Sequence, residues 1–166
     1  TKLEKQLPHF QDHEVGIVIS DILYFNVSGK YRKLYAGKLP PTGWVFEKLL
    51  TSYFISLGTV ILRHESIIRL DHTFDPQFNH ISDFDLITRV SREWKLALVP
   101  EVLAKWRVHS ESASWREPEG FYKEKKFFVL KMEKTLPDFK ARRPNMAFIA
   151  VDFPAPFGPS IDTISP

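Results

Sequence analysis

Apolar residues in this chain fall into short runs of strand length, set between segments with helical spacing. Val15–Ser20 (VGIVIS) is a continuous apolar run, and Ile22–Phe25 extends it. Such a run reads as a buried core strand. Before it, residues 2–12 (KLEKQLPHFQD) read as a short helix whose later turn is weakened by Pro8. After it, Asn26-Val27-Ser28-Gly29 is a turn signal leading to a polar strand over Tyr31–Tyr35. Leu39–Gly43, with two adjacent prolines, is a loop. The spacing of Val45, Leu49 and Phe54 predicts a helix over Trp44–Phe54. Thr59–Leu62 reads as a strand, His64–Leu70 as a short helix, and residues 71–81 as an irregular loop rich in Asp and His.

Ser82 stands where a helix N-cap is expected. Asp85, three residues on, completes a capping-box pattern with Asp in place of Glu or Gln. The helix predicted from there runs to about Trp94, burying Leu86, Val90 and Trp94. Trp44 and Trp94 are both expected in the core. Leu96–Val99 and Val102–Val108 read as strands interrupted by Pro100, and Phe121–Leu136 as a final Lys-rich amphipathic helix. No internal repeat is visible. Strands alternating with helices predict an α/β layer structure.

Composition narrows the class. The 166 residues suit one domain with its own core. At 43% hydrophobic against 26% charged, the chain buries apolar surface rather than remaining disordered. It contains no cysteine, which excludes disulfides and thiolate metal sites. The formal charge of +3 is mild, and apart from Lys123, Lys125 and Lys126 the cations are scattered, so nucleic acid is not an expected partner. No apolar stretch approaches the ~18 residues that span a bilayer, and no signal peptide is visible. The start at Thr1 without Met suggests a fragment.

Two constellations carry chemistry. Asp83 falls in the first turn of its helix, where the macrodipole favours an anion and hence an ionised general base. Asp83 and Asp85 fit a plain helix cap equally. In the strand ending Lys105-Trp106-Arg107-Val108-His109, alternation puts Lys105, Arg107 and His109 on one face. Arg binds phosphate as a planar fork and neutral imidazole ligates divalent metals, so this face suits a diphosphate and a cation. A solvated edge face is the plainer reading. Gly58, just before a strand, permits close approach of backbone to a ligand or is a simple loop glycine. His64, His72 and His80 read as surface loop residues without a role.

Taken in order, these segments resemble the second half of a family 2 glycosyltransferase of the GT-A fold. Lys2-Leu3-Glu4-Lys5-Gln6 resembles the helix after the family's metal-binding Asp-x-Asp motif. Val15–Asp21 resembles the next core strand. Phe74-Asp75, followed by Ser82-Asp83-Phe84-Asp85-Leu86, resembles its F-D-E…E-D-x-D-L region. Val99-Pro100-Glu101-Val102-Leu103 through Trp106-Arg107-Val108-His109, with Ser112 and Ser114, resembles its P-E-x-L…Y-R-x-H-x-x-S-x-S stretch. The likeness covers roughly residues 1–115, and its four stretches come in the family's order and spacing. It implies an incomplete, Rossmann-like GT-A domain over residues 1–138 that lacks its N-terminal nucleotide-binding strands. It further implies an inverting transferase that moves a sugar from a nucleotide-sugar donor to the hydroxyl of a glycan or lipid-linked acceptor, in the cytoplasm or at the inner face of the membrane. On this likeness Asp83 is the catalytic base and Asp85, with Ser82, supports the helix start. Arg107 neutralises the donor's phosphates, His109 lies by the diphosphate as a ligand of Mg²⁺ or Mn²⁺, and Gly58 belongs to the acceptor loop.

The departures set further expectations. The family has Glu before the base where this chain has Ser82, and the Asp-x-Asp motif and the strands before it are not in this sequence. The chain alone is therefore expected to be inactive, with an unpaired sheet edge that favours association. A non-catalytic glycan- or partner-binding module, or a nucleotidyltransferase-like α/β protein, are the alternatives. Residues 139–166 fall outside the family pattern and are expected to be unstructured. Read on the complementary strand in a shifted frame, with TCN codons for serine, residues 151–166 can encode G-D-I-V-S-I-D-G-P-N-G-A-G-K-S-T. That string contains a phosphate-binding loop motif, so the tail is expected to derive from the antisense of a neighbouring gene.

Overall fold

The computed structural model describes residues 1–109, 117–136 and 139, and the statements below concern those residues. Of the tail expected to be unstructured over residues 139–166, Phe139 is described and is buried with Phe128 and Met132; residues 140–166 lie outside the described residues, as do Ser112 and Ser114. The chain opens with α1 (Lys2–Gln6), which continues as a tighter 3₁₀ turn over Leu7–Gln11 with Pro8 in its first turn. β1 (Val15–Phe25) is the central strand, followed by β2 (Tyr31–Lys33), α2 (Phe46–Thr51), β3 (Ile61–Leu62) and α3 (His64–Ile68). α4 (Ser82–Ser91), β4 (Lys95–Arg107) and α5 (Pro118–Thr135) complete the order.

The result is a mixed α/β layer fold around a four-stranded sheet. On one side β1 pairs antiparallel with β3 at Ile17–Val18 and with β2 at Leu23–Phe25. On its other side it pairs parallel with β4 along its whole length, from Val15 opposite Lys95 to Phe25 opposite Arg107. The expected break at Pro100 is absorbed within one long strand. Proline cannot donate to a ladder, and the register slips there, so that Ser20 faces Val99 and Asp21 faces Val102. The far edge of β4 makes only a bridge from Leu96 to Gly43 among the described residues.

Two apolar clusters fix α4. Ile17 and Ile19 of β1 pack with Leu86, Ile87 and Val90 of α4, Leu49 of α2 and Leu96 of β4. Phe84 at the start of α4 packs with Phe78, Ile81, Phe128 and Met132, which joins α4 to α5. Each such buried side chain contributes roughly 1.5–3 kcal/mol. On the sheet's opposite face Val18 packs with Val15, Val99 and Phe10. Trp94 lies over Gly16, where a Cβ would stand 2.5 Å from the indole's own Cβ, so the strand tolerates only glycine there. Trp44, expected inside, is 58% exposed; Lys95 lies over its ring instead.

Candidate functional site

α4 begins one residue earlier than a Ser82 cap would have it. Ser82 is the first helical residue, and the N-cap is Ile81, which has no side chain to bond the exposed amides. The capping box between Ser82 and Asp85 does not form. The amides just before the helix are satisfied from another element. The Glu124 carboxylate of α5 accepts the backbone N–H groups of Asn79, His80 and Ile81 at 2.9–3.1 Å. It also takes His80 Nδ1 at 2.9 Å, while His80 Nε2 lies 2.9 Å from Glu117 Oε2. Hydrogen bonds donated to Glu124 and then to Glu117 raise the His80 pKa, and the imidazolium satisfies both carboxylates at once. The ring meets Phe121 edge-on at 5.0 Å and lies against Gly120, where a Cβ would come within 2.5 Å of it.

Sequence reasoning gave His80 no role. The signal was present on the partner helix. Glu117, Gly120, Phe121 and Glu124 recur at the i, i+3, i+4, i+7 spacing of one helix face. That face carries a glycine and two carboxylates where a core-facing stripe would be apolar.

Asp83 sits one residue into α4 and is half-buried. Its Oδ1 accepts the Phe84 N–H at 2.8 Å, and its Oδ2 accepts a long 3.5 Å hydrogen bond from the Tyr53 hydroxyl. Burial raises its pKa, and the Phe84 amide and Tyr53 only partly offset this. The helix dipole alone would have lowered it, so desolvation outweighs the dipole here. Asp83 is therefore a stronger base than a surface aspartate. Tyr53 is in turn held protonated by burial and by the nearby Asp83 charge. Tyr35 continues the string. Its hydroxyl donates to the Phe54 carbonyl at 2.8 Å, and its amide donates to Asp21 Oδ1 of β1 at 3.2 Å. Polar groups thus run from the start of α4 to the second half of β1.

Asp85 has a different environment. It is 1% exposed, and its Oδ2 takes Arg89 Nε at 2.8 Å and Arg89 Nη2 at 2.7 Å. Arg89 also donates to the carbonyls of His72 and Thr73, at 2.8 and 3.0 Å. One ion pair therefore ties α4 to the loop before it. A groove of about 480 Å³ opens beside this pair, lined also by Arg69, Asp75 and Lys131. Lys131 of α5 pairs with Asp75, whose pKa is lowered overall because that hydrogen bond and the Gln77 amide outweigh its desolvation.

The basic residues of β4 lie elsewhere. In a ladder, paired residues share a face. Lys33, Leu23 and Lys105 form one rung, and Tyr31, Phe25 and Arg107 form the next on the same face. Arg107 and His109 are exposed. Strand alternation stops at Arg107, so it does not place His109 on that face. Among the described residues, no hydrogen bond or ion pair links Asp83 to Arg107 or His109. Gly58 stands beside Ile22 with its carbonyl taken by Lys2 Nζ at 2.9 Å. A Cβ there would make only ordinary contact, so the position does not itself require glycine.

A divalent cation fits none of this. Among the described residues, no group of three or more His, Asp or Glu side chains is placed to hold one. His109 by itself is not a site. No described helix is long and apolar enough to cross a membrane. No protein-family model matches the chain, and no curated protein matches it significantly.

Proposed function

We propose that this chain is the acceptor-side part of an inverting glycosyltransferase that uses a nucleotide-sugar donor, with Asp83 as its base. The observation that carries the reading is the environment of Asp83. It is a carboxylate in the first turn of a core-packed helix, made more basic by burial, with only Tyr53 as a side-chain hydrogen-bond partner among the described residues. A neighbouring carboxylate of the same helix, Asp85, is fully engaged by Arg89. The order of the family-like stretches supports the same reading.

In this reaction Asp83 takes the proton of the acceptor hydroxyl. The hydroxyl oxygen forms a bond to the anomeric carbon from the side opposite the nucleotide. The bond from that carbon to the phosphate oxygen breaks, its electron pair leaves with the nucleoside diphosphate, and configuration inverts. Tyr53 holds Asp83 Oδ2 and leaves the base a fixed orientation. Arg107 lies at the carboxyl ends of the parallel strands β1 and β4, where ligands of open α/β sheets bind, and neutralises the charge of the leaving diphosphate. On the family likeness, the donor's base and ribose, and any metal on its phosphates, would be held by residues outside the matched stretches. The isolated chain is accordingly expected to be inactive.

The test is Asp83→Asn in the complete enzyme, assayed for sugar transfer alongside a folding control such as circular dichroism. Loss of transfer with an unchanged fold supports the base role. Retained transfer removes it and favours a non-catalytic glycan-binding module. Clear sugar-nucleotide turnover by the isolated 166-residue chain with Mn²⁺ would overturn the expectation of inactivity.

A further inference from the structure

The hairpin joining β1 to β2 is built to present two apolar side chains to solvent. Asn26 is buried, and its Oδ1 accepts from the Ser28 amide, the Ser28 hydroxyl and the Lys30 amide at 3.1, 2.8 and 3.0 Å. Its own amide donates to the Lys30 carbonyl at 3.1 Å, and Gly29 takes a φ of 79° that closes the turn. One side chain thus fixes the whole tip. That rigid tip leaves Val27 76% exposed, and Tyr31 just past it is 74% exposed. A valine held outward by so many hydrogen bonds gains nothing from water.

Charge surrounds the tip with one sign. Lys30, Arg32, Lys33 and Lys38 follow in sequence, and no acidic residue occurs between Asp21 and Glu47. β2 is exposed along its length, and its three residues pair across β1 with the segment that carries Lys105 and Arg107. Among the described residues, none of Lys30, Arg32 and Lys33 makes an ion pair.

We propose that this hairpin docks the protein on an anionic lipid bilayer. The cations would lie at the headgroup phosphates, and Val27 and Tyr31 would enter the interface. Basic residues near an anionic leaflet contribute to binding individually and additively, and tyrosine favours the interfacial region for its apolar ring and polar tip. Nucleic acid suits the valine poorly, because an aliphatic tip neither stacks on a base nor bonds a phosphate. Docking by this hairpin would place the carboxyl ends of β1 and β4 near the lipid surface. The proposal stands apart from the transferase reading, since it uses neither Asp83 nor His109 and needs no donor.

The experiment is sedimentation of the full 166-residue chain with phosphatidylcholine vesicles, with and without phosphatidylglycerol, at low and high salt. Binding is expected only with phosphatidylglycerol and is expected to weaken with salt. Replacing Lys30, Arg32 and Lys33 together by Gln should weaken it on the order of 100-fold. Val27→Ser should weaken it by a smaller factor and leave the salt dependence in place. These exposed positions leave the core untouched, and an unchanged melting temperature checks that. Absence of binding, equal binding to pure phosphatidylcholine, or binding indifferent to the triple replacement overturns the proposal. So does full displacement by single-stranded RNA together with indifference to Val27→Ser, which would make the hairpin a nucleic-acid surface.

Discussion

The start of α4 and the end of β4 both carry candidate chemistry, yet they are built in opposite ways. At the start of α4, neighbouring groups already have partners. Glu124 binds three backbone amides and His80, Arg89 binds Asp85, and Tyr53 reaches Asp83. At the end of β4, Lys105 and Arg107 are exposed and make no ion pair among the described residues. The first region has its geometry before any ligand arrives. The second has charge without a partner, which is what a group that must meet an incoming anion needs. A base requires preorganisation because its geometry sets the reaction, whereas a phosphate-binding cation can take its final position with the phosphate.

The sharpest break to this comparison is within α4. Asp83→Asn in the complete enzyme is expected to lower transfer by roughly 10²–10⁴-fold, the usual share of general base catalysis, with little change in melting temperature. Asp85→Ala should do the reverse to the fold. It strips the partner from Arg89 and is expected to cost about 3–5 kcal/mol in chemical denaturation, the range for breaking a buried pair. If the two variants destabilise equally, the division between a base and a brace fails. Next in size is Gly120→Ala. Its Cβ would meet the His80 ring at 2.5 Å, so a loss of about 1–3 kcal/mol is expected from overpacking, again read by denaturation.

Two pH effects sharpen the comparison further. The His80 pKa is raised above its usual 6.5, so its contribution to stability is complete below that value and is lost as pH rises through the raised one. The Glu124 pKa is lowered from 4.5, so its contribution is complete above that value and is lost as pH falls through the lowered one. The clamp on α4 is thus strongest between the two usual values, and Glu124→Gln should flatten the pH profile of the melting temperature on the alkaline side. If Asp83 is the base proposed above, its raised pKa places the acidic limb of kcat/KM above the usual 3.8 of aspartate. The smallest effect belongs to the open region. Salt should weaken any anion bound by Arg107 while barely altering the clamp, because exposed charges are screened more than buried ones.

The sequence pattern carried the elements with strong local signals. The apolar run at Val15 became β1, and the turn at Asn26–Gly29 formed where its residues demanded. The length of β4 was less legible. Pro100 ends a strand by local rules, but pairing along β1 on both sides of it holds the chain extended. The helix predicted over Trp44–Phe54 shortened to Phe46–Thr51 because Tyr53 and Phe54 are drawn to the core and to Asp83. The segment entering α4 is held for a non-local reason. Glu124, far along the chain, supplies a carboxylate to the amides of Asn79, His80 and Ile81 just before the helix, and no local pattern can announce a brace from another helix. His80 escaped notice for the same reason.

The parallel pairing of β1 with β4 also fixes an order of events in folding. Val15 finds its partner only at Lys95, so every element between them must be synthesised before the central strand is covered on that side. Contacts this distant in sequence slow folding. The hairpin to β2 and the short pairing with β3 close early, because their partners lie nearby. Until β4 arrives, Ile17, Val18 and Ile19 present one open backbone edge to whatever else is in the cell. A newly made chain is most exposed to mispairing in that interval, when an unpaired strand edge can template contacts with other chains.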